Sequence, residues 1–227
     1  MKLSGEALVG NKKYGIDDSF IAELAKELAV IHTKNIQLII VIGGGNFFRG
    51  SDLEKLGIQR VTADHMGMLA TVINSLALQT SLEKLNVACR VMSSITIDAV
   101  CEKYIKRKAE RHLEKNRIII LAAGTGNPFF TTDSAASLRA IELNAELLLK
   151  ATKVDGIYDC DPMKNPAAKL YKSISYDDVI NKKLAVMDAT AVVMCQENSM
   201  PLKVFNLLKK GNLKKAILND KIGTKII

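Results

Sequence analysis

Short apolar runs recur along this chain, and their hydrophobic positions are continuous rather than alternating with polar ones. A strand with one face in water alternates between apolar and polar residues, whereas a strand covered on both faces does not. The pattern therefore predicts buried strands of a parallel sheet, and these strands are expected at residues 36–43, 87–92, 117–124, 145–152 and 202–207.

Between these runs lie segments in which apolar residues recur every three or four positions, a spacing that is typical of amphipathic helices. Helices are expected at residues 17–34, 63–85, 96–115, 133–144 and 186–197. The alternation of helix and strand predicts an α/β fold, a three-layer αβα sandwich with a mostly parallel central sheet. Residues 1–227 contain no repeat and no linker-like tract, so one domain is expected. Ligands of such folds bind at the loops that follow the carboxyl ends of the strands.

Composition narrows the classes of function. The four cysteines and three histidines are scattered, which indicates neither a disulfide framework nor a zinc site. No apolar run approaches the roughly 20 residues of a membrane span, and the first ten residues lack the apolar core of a signal peptide. We therefore expect a cytoplasmic protein without a membrane partner. The formal charge of +8 suits an anionic ligand, but aromatic residues make up only 5% and are not interleaved with basic ones, which disfavours nucleic acid.

Three glycine-bearing loops stand out, namely "KLSGEALVG", "VIGGGNFFRG" and "GTGNPFFTTD". In the second loop, Gly43, Gly44 and Gly45 would let backbone N–H groups approach a phosphate, because glycine has no side chain and tolerates positive φ. Arg49 follows as a cation. No loop fits GxxxxGK[ST] or a full GxGxxG, so a P-loop NTPase and a Rossmann site are both disfavoured. A tight turn explains one glycine run equally well, but three such loops favour phosphate binding.

The segment "KATKVDGIYDCDP" at residues 150–162 follows another predicted strand and has two interpretations. Its aspartates can form an Asx-type turn before Pro162. Beside a nucleotide, carboxylates can instead bond a ribose or position Mg²⁺, and lysines can neutralise the charge of a transferring phosphoryl group. The residues concerned are Lys150, Lys153, Asp155, Asp159 and Asp161.

Taken in order, the motifs "KLSGEAL", "VIGGGNFFRG", "DHMGMLATVIN", "GTGNPFFTTDSAA" and "KATKVDGIYDCDP" resemble those of the bacterial uridylate kinases of the amino acid kinase superfamily. The similarity runs from Lys2 to the C-terminal "GTKII". It implies Mg²⁺-dependent transfer of the ATP γ-phosphoryl group to UMP, which gives UDP and ADP in pyrimidine nucleotide biosynthesis. It also implies a homohexamer under allosteric control.

The resemblance assigns the site residues as well. The expected catalytic residues are Lys2, Arg49 and Asp133. The residues expected to contact ATP are Lys2, Leu3, Ser4, Gly5, Gly45, Arg49, Thr152, Tyr158 and Asp161. The residues expected to surround UMP are Gly44, Asp64, Thr125, Gly126, Asn127, Pro128, Phe129, Phe130, Thr131 and Thr132. No protein ligand of Mg²⁺ is assigned.

Two further expectations concern the N-terminal region. Family members bind GTP as an activator in the segment that corresponds to Gly10, Asn11, Lys12, Lys13, Tyr14 and Gly15, although an exposed hairpin turn would have similar residues. UTP is the expected inhibitor. Members usually begin with additional residues that complete the first strand, so the first strand is expected to be truncated here.

Several alternatives stay open at this stage. Asp64 and Asp133 can each serve as an acid at a helix N-terminus, and Tyr158 can be a packing residue. Two other functions are a superfamily kinase with a carboxylate or carbamate acceptor and a non-catalytic nucleotide sensor. The "GTGNPFF" segment argues against the first, and the presence of Lys2 together with Asp133 argues against the second.

Overall fold

The computed structural model describes residues 1–48, 57–218 and 222–227. Arg49, a predicted catalytic residue, lies outside these ranges. The chain divides into two compact units, one formed by residues 2–135 and the other by Met1 with residues 136–227. No described helix is long and apolar enough to cross a lipid bilayer.

The first unit contains five strands in the order β4-β3-β5-β2-β1, and all neighbouring pairs are parallel. The central strands are covered on both faces, since Ile40, Ile42 and Ile118 have no exposed surface. The continuous apolar runs thus became buried parallel strands, as predicted. The strands are β1 (Lys2–Leu3), β2 (Ile39–Ile42), β3 (Cys89–Ser93), β4 (Glu102–Lys103) and β5 (Ile118–Ala122).

The helices of this unit are α1 (Asp18–His32), α2 (Arg60–Glu83) and α3 (Lys106–Glu114), and a 3-10 turn covers Gly5–Val9. The carboxylate of Asp17 caps α1 by accepting the N–H groups of Ser19 and Phe20 at 2.9 and 3.3 Å. The expected helix at 96–115 is wrong in its first half. There Glu102 and Lys103 pair with Met92 and Ser93, and this non-local pairing outweighs the local helical periodicity.

Helix α4 (Thr132–Glu142) begins in the first unit and continues into the second. The second unit has the strand order β6-β8-β9-β7, in which only β8 and β9 are antiparallel. Its strands are β6 (Leu148–Thr152), β7 (Ser173–Ile174), β8 (Leu202–Asn206) and β9 (Thr224–Ile226). Its helices are α5 (Tyr176–Asn181), α6 (Ala189–Glu197) and α7 (Asn212–Leu218).

Helix α6 begins three residues later than expected, because the carboxylate of Asp188 caps it by accepting the N–H of Ala191 at 2.9 Å. The short elements β4, β7, β9, α5 and α7 were not predicted, since segments of two to seven residues carry too few positions for periodicity to show. The predicted fold class, α/β with mostly parallel strands, is confirmed.

Candidate active site

A buried ion pair marks the centre of the candidate site in the first unit. The ammonium of Lys2 lies 3.0 Å from the carboxylate of Asp133, and the two side chains are only 12% and 13% exposed. Lys2 is placed by β1, which runs parallel to β2 through the pairing of Leu3 with Ile42. Asp133 is in the first turn of α4. The fold therefore brings together two residues that are far apart in sequence and that were predicted to be catalytic.

The N-terminal end of α4 shows that Asp133 is not needed as the helix cap. The hydroxyl oxygen of Thr131 accepts the N–H of Asp133 at 3.0 Å and that of Ser134 at 3.4 Å. Thr131 is thus the capping residue. The carboxylate of Asp133 is directed to Lys2 instead, which argues against the alternative that this acid serves the helix alone.

The glycine loops of the first unit are packed closely against each other, and a side chain at Gly5 would not fit. A Cβ atom on Gly5 would lie 2.5 Å from the carbonyl oxygen of Gly43 and 2.6 Å from the nitrogen of Gly45. The N–H of Gly43 donates to the carbonyl of Leu3 at 2.9 Å. A Cβ on Gly43 would lie 3.5 Å from the hydroxyl of Thr132. The opening loop, the Gly43–Gly45 loop and the start of α4 therefore meet beside Lys2.

The Gly43–Gly45 loop retains hydrogen-bond donors. Within the described part of the chain, the N–H groups of Gly44 and Gly45 donate to no protein acceptor. Backbone N–H groups next to a buried cation form an arrangement that suits an anion such as a phosphate. The tight turn and the anion site are therefore compatible interpretations of the same glycines.

The loop at 123–130 adopts a conformation that costs free energy. Ala123 and Phe129 have φ values of 61° and 69°, and Gly124 and Gly126 are also left-handed, at 56° and 82°. For a residue with a side chain this conformation costs roughly 1–2 kcal/mol. Such strain persists where surrounding contacts fix it, and it is concentrated at ligand sites.

Polar side chains fix this strained loop. The hydroxyl of Thr71 accepts the N–H of Ala123 at 2.6 Å, and the hydroxyl of Ser94 donates to the carbonyl of Gly124 at 2.7 Å. The carboxylate of Asp64 accepts the N–H of Phe129 at 2.7 Å. The rings of Phe129 and Phe130 stay 66% and 50% exposed, so the loop presents apolar surface outward.

Asp64 is a loop-holding residue rather than a helix cap. Helix α2 begins at Arg60, so Asp64 lies one turn inside it. The Nε of Arg60 lies 3.0 Å from both carboxylate oxygens of Asp64, and its guanidinium lies 5.8 Å from the centre of the Phe129 ring. Arg60 was not predicted from the sequence, although its position four residues before Asp64 is the usual spacing for a helical ion pair.

Three further residues of α2, on the same face as the predicted Asp64, were missed. Asp64, Gly67, Thr71 and Asn74 follow a spacing of three, four and three residues, which places them on one face of the helix. Every one of them contacts the backbone of a site loop. The carbonyl of Gly67, for example, would lie 2.6 Å from a Cβ on Gly44. The signal was available in "DHMGMLATVIN", where polar and small residues recur at helical spacing within an apolar sequence.

The second unit contains a pocket of about 430 Å³, and three residues predicted to contact ATP line it. These are Thr152, Tyr158 and Asp161. The remaining wall is formed by Val154, Gly156, Ile157, Asp159, Cys160, Pro162, Lys182, Lys183, Leu184, Ala185, Val186 and Val204. The ammonium of Lys150 donates a hydrogen bond to the carbonyl of Val186.

The "DCDP" segment forms the Asx turn that was left open as an alternative. The Asp161 carboxylate accepts the N–H of Met163 at 2.9 Å. The Asp159 carboxylate accepts the N–H of Lys169 at 2.9 Å, and this hydrogen bond lowers the pKa of Asp159 below its usual value. Tyr158 pairs as an isolated bridge with Leu170. These residues are therefore part of the local structure as well as of the pocket wall.

The segment 10–15 connects the 3-10 turn to α1, so it does not join two strands and is not a hairpin. The Asp17 carboxylate accepts the N–H of Asn11 at 3.0 Å, and the ammonium of Lys12 donates to the carbonyl of Ile16 at 2.7 Å. Tyr14 is 78% exposed. The segment is a defined turn with an outward aromatic ring and lysines.

Comparisons with known proteins identify the family of this chain. Residues 1–206 match the model of the amino acid kinase family. The uridylate kinase of Methylococcus capsulatus is 53% identical over 227 residues, which cover 100% of this chain and 95% of that protein. The uridylate kinase of Dichelobacter nodosus is 53% identical over 224 residues, which cover 99% and 93%. The crystal structure of UMP kinase from Bacillus anthracis superposes with a TM-score of 0.96 at 40% identity, covering 99% of this chain and 93% of that one.

Proposed function

Because this chain belongs to the amino acid kinase family, we propose that it is a uridylate kinase, which transfers the γ-phosphoryl group of ATP to UMP and releases UDP and ADP. The observation that carries the proposal is the similarity over the whole chain to curated uridylate kinases. The strained 123–130 loop, fixed to α2 by Asp64 and Thr71, supports it as the acceptor-binding segment.

The proposed chemistry needs alignment and charge neutralisation but no strong base. At neutral pH the phosphate oxygen of UMP is already a nucleophile, so it attacks the γ-phosphorus of ATP and the bond to the ADP oxygen breaks. Lys2 neutralises negative charge on the transferring group, and Asp133 holds the Lys2 ammonium in place. The Gly44 and Gly45 N–H groups donate to phosphate oxygens. Arg49 adds a second cation in this proposal.

The acceptor side is assigned to Asp64 and to residues 125–132. Backbone and hydroxyl groups of this segment would bond the uracil edge, and the Asp64 carboxylate would bond the ribose hydroxyls. The exposed rings of Phe129 and Phe130 supply apolar surface for the base. A pocket whose polar groups match one base rejects a base with a different donor and acceptor pattern.

The donor side is assigned to the 430 Å³ pocket of the second unit. Mg²⁺ prefers oxygen ligands and keeps several waters, so the phosphates of ATP would be its main ligands. The carboxylates of Asp159 and Asp161 lie in the pocket wall and fit this oxygen chemistry. The ion supplies charge neutralisation on the phosphates when it is bound.

The finer parts of the proposal concern assembly and control. We assign a single-domain organisation, a homohexamer in the cytoplasm, activation by GTP at residues 10–15 and inhibition by UTP. Lys12 and Lys13 suit a triphosphate, and the Asp17 hydrogen bond to Asn11 gives the segment a defined shape. The outward apolar residues of α2 support an oligomer.

An assay of ADP formation from ATP and Mg²⁺ with UMP, CMP, dTMP or AMP as acceptor tests the proposal. UMP is expected to exceed CMP in kcat/KM by at least roughly two orders of magnitude, because a site that pairs a polar edge strongly rejects the wrong edge. Equal rates with UMP and CMP would contradict it. A rate only with a carboxylate or carbamate acceptor would favour the superfamily alternative, and nucleotide binding without turnover would favour a sensor.

A further inference from the structure

Two asparagine side chains form a buried pair beneath the Gly43–Gly45 loop. The Asn46 amide nitrogen donates to the Asn74 carbonyl oxygen at 2.8 Å, and the Asn74 amide nitrogen donates back at 2.7 Å. Asn46 is 4% exposed and Asn74 has no exposed surface. Neither residue belongs to the site that the sequence predicted.

Each amide group also donates a second hydrogen bond, and the two acceptors lie in different loops. The Asn74 amide donates to the carbonyl of Gly43 at 2.8 Å. The Asn46 amide donates to the carbonyl of Gly15 at 2.9 Å, and the N–H of Gly15 donates to the backbone carbonyl of Asn46 at 3.0 Å. The pair thus connects helix α2, the Gly43–Gly45 loop and the end of segment 10–15.

This network fixes the orientation of both amides. An amide NH₂ group has two donors, and both donors are used in Asn46 and in Asn74. Rotating either amide by half a turn would place oxygen against oxygen. A buried network in which these groups are satisfied is rigid, and breaking one bond leaves a desolvated polar group behind.

The bond to Gly43 also sets the direction of a neighbouring donor. In a planar trans peptide, the carbonyl of one residue and the N–H of the next point in opposite directions. The Gly43 carbonyl faces Asn74 on α2. The Gly44 N–H must therefore face away from α2, and this is one of the N–H groups that the proposed function assigns to phosphate.

We propose that Asn74 and Asn46 are positioning residues for phosphoryl transfer: Asn74 orients the Gly43–Gly44 peptide, and Asn46 links this peptide to segment 10–15. The inference rests on the proposed function, because it assigns the Gly44 N–H to a phosphate. It adds that a change in the position of Gly15 reaches the phosphate loop through Asn46, whose side chain and backbone carbonyl both bond Gly15.

The first test compares Asn74→Ala with Ser75→Ala. Ser75 is the matched control, since it is equally buried on the same helix and its hydroxyl donates only to the Thr71 carbonyl inside α2. Asn74→Ala is expected to lower kcat by about tenfold or more, because it releases one preorganised donor, while KM for UMP changes less than about threefold. Ser75→Ala should keep the wild-type kcat.

Asn74→Asp serves as a second variant of the same volume in case the alanine variant folds poorly. A carboxylate at this position cannot donate to Gly43, so the same loss of kcat is expected. The inference is overturned if either folded Asn74 variant retains the kcat of Ser75→Ala. It is also overturned if kcat and both KM values change in parallel, which would indicate general damage to the fold.

The second test measures hydrogen exchange at the Gly15 N–H. Asn74 donates to Gly43 and Asn46 and makes no bond to Gly15 itself. If the role of Asn74 were confined to α2, the exchange rate of the Gly15 N–H would therefore be unchanged in Asn74→Ala. Transmission through Asn46 predicts faster exchange at Gly15 in both Asn46→Ala and Asn74→Ala but not in Ser75→Ala. Unchanged exchange in Asn74→Ala overturns the link. An inactive wild-type protein would contradict the proposed function, whereas the exchange result would still test the link.

Discussion

At the scale of single residues, two roles that one acid could perform are carried by neighbouring residues: Thr131 caps helix α4, and Asp133 pairs with Lys2. The hydroxyl of Thr131 accepts the N–H groups of Asp133 and Ser134, and the Asp133 carboxylate forms an ion pair with the Lys2 ammonium at 3.0 Å. The sequence predicted both residues in the site but left open whether Asp133 serves only as an acid at the helix N-terminus. The division depends on the direction of two neighbouring side chains, which no spacing in the sequence reveals.

This division predicts the effect of Asp133→Asn. The amide is nearly isosteric and leaves the Thr131 cap intact, so the melting temperature should change little. Lys2 loses its charged partner, and kcat should fall by on the order of 10²-fold while UMP affinity changes little. Steady-state kinetics with calorimetric UMP titration would measure both quantities.

Glu142→Gln is the control for this variant, since it neutralises an acid on the same helix that pairs with Arg139 at 2.6 Å. Its kcat should match the wild type. Near-normal turnover in Asp133→Asn would contradict a catalytic positioning role. Lost UMP binding with normal saturated turnover would instead place Asp133 in the acceptor pocket.

Other residues of the site differ in how far they could be predicted. The glycines of the Gly43–Gly45 loop were identified because glycine has a distinctive backbone role. Asn46 and Asn74 were not, because an asparagine in a loop or in a helix is common, and its importance here comes from a pairing across 28 positions. Long-range side-chain pairing is set by packing, which local sequence does not encode.

At the scale of elements, helix α2 both holds the site loops and packs on the sheet, and its hydrophobic pattern did not distinguish these two roles. The pattern predicted a helix at 63–85, and the helix extends from Arg60 to Glu83. Its polar stripe holds the site loops, and its apolar residues pack on β3 and β5. In the first half of the expected 96–115 helix the hydrophobic pattern gave the wrong element. A short edge strand forms there instead, because it pairs with a strand that is distant in sequence.

Helix α1 and segment 10–15 depend on one carboxylate, and this dependence predicts a pH effect. The hydrogen bond from the Ser19 hydroxyl, followed by that from the Asn11 N–H, holds the pKa of Asp17 well below its usual value. A lowered pKa in the folded state means that the stability from Asp17 is present above the unfolded value of about 4 and is lost as pH falls below it.

Asp17→Asn should therefore have a lower melting temperature at pH 7 and a smaller further decrease between about pH 5 and pH 3 than the wild type. The matched control is Asp18→Asn, whose carboxyl is adjacent in sequence but 94% exposed. Thermal unfolding across this pH range would measure the difference. Parallel pH profiles for Asp17→Asn and the wild type would show that Asp17 contributes no such stability.

At the scale of the whole molecule, the alternation of helices and continuous apolar runs was sufficient to predict the α/β class. It also placed the main parallel strands within a few residues. The antiparallel β9 escaped prediction, because its three residues pair with β8 only after the chain has returned through α7. The order of strands is likewise a tertiary property. Periodicity identifies elements, whereas their neighbours follow from packing and connection rules.

The outer face of α2 argues for association between copies of this chain. Val61, Leu69 and Ile73 are 42%, 49% and 50% exposed, and they lie on one side of the helix at spacings of eight and four residues. Other apolar residues of α2 are buried, with Met68, Val72 and Leu78 at most 7% exposed. A helix that exposes large apolar residues in addition to its buried ones is typical of one that packs on its own core and on a neighbouring subunit.

Light scattering of the wild type should therefore report a multiple of the 24.8 kDa chain at micromolar concentration. Replacing Leu69 and Ile73 together by glutamate should shift the mass toward a single chain, because a charge buried in an apolar interface is strongly destabilising without a partner. Val30→Glu on α1, at a position that is 47% exposed, is the control and should keep the wild-type mass. A wild-type mass near 24.8 kDa would contradict the oligomer. An unchanged mass in the double variant would show that Leu69 and Ile73 of α2 do not form the interface.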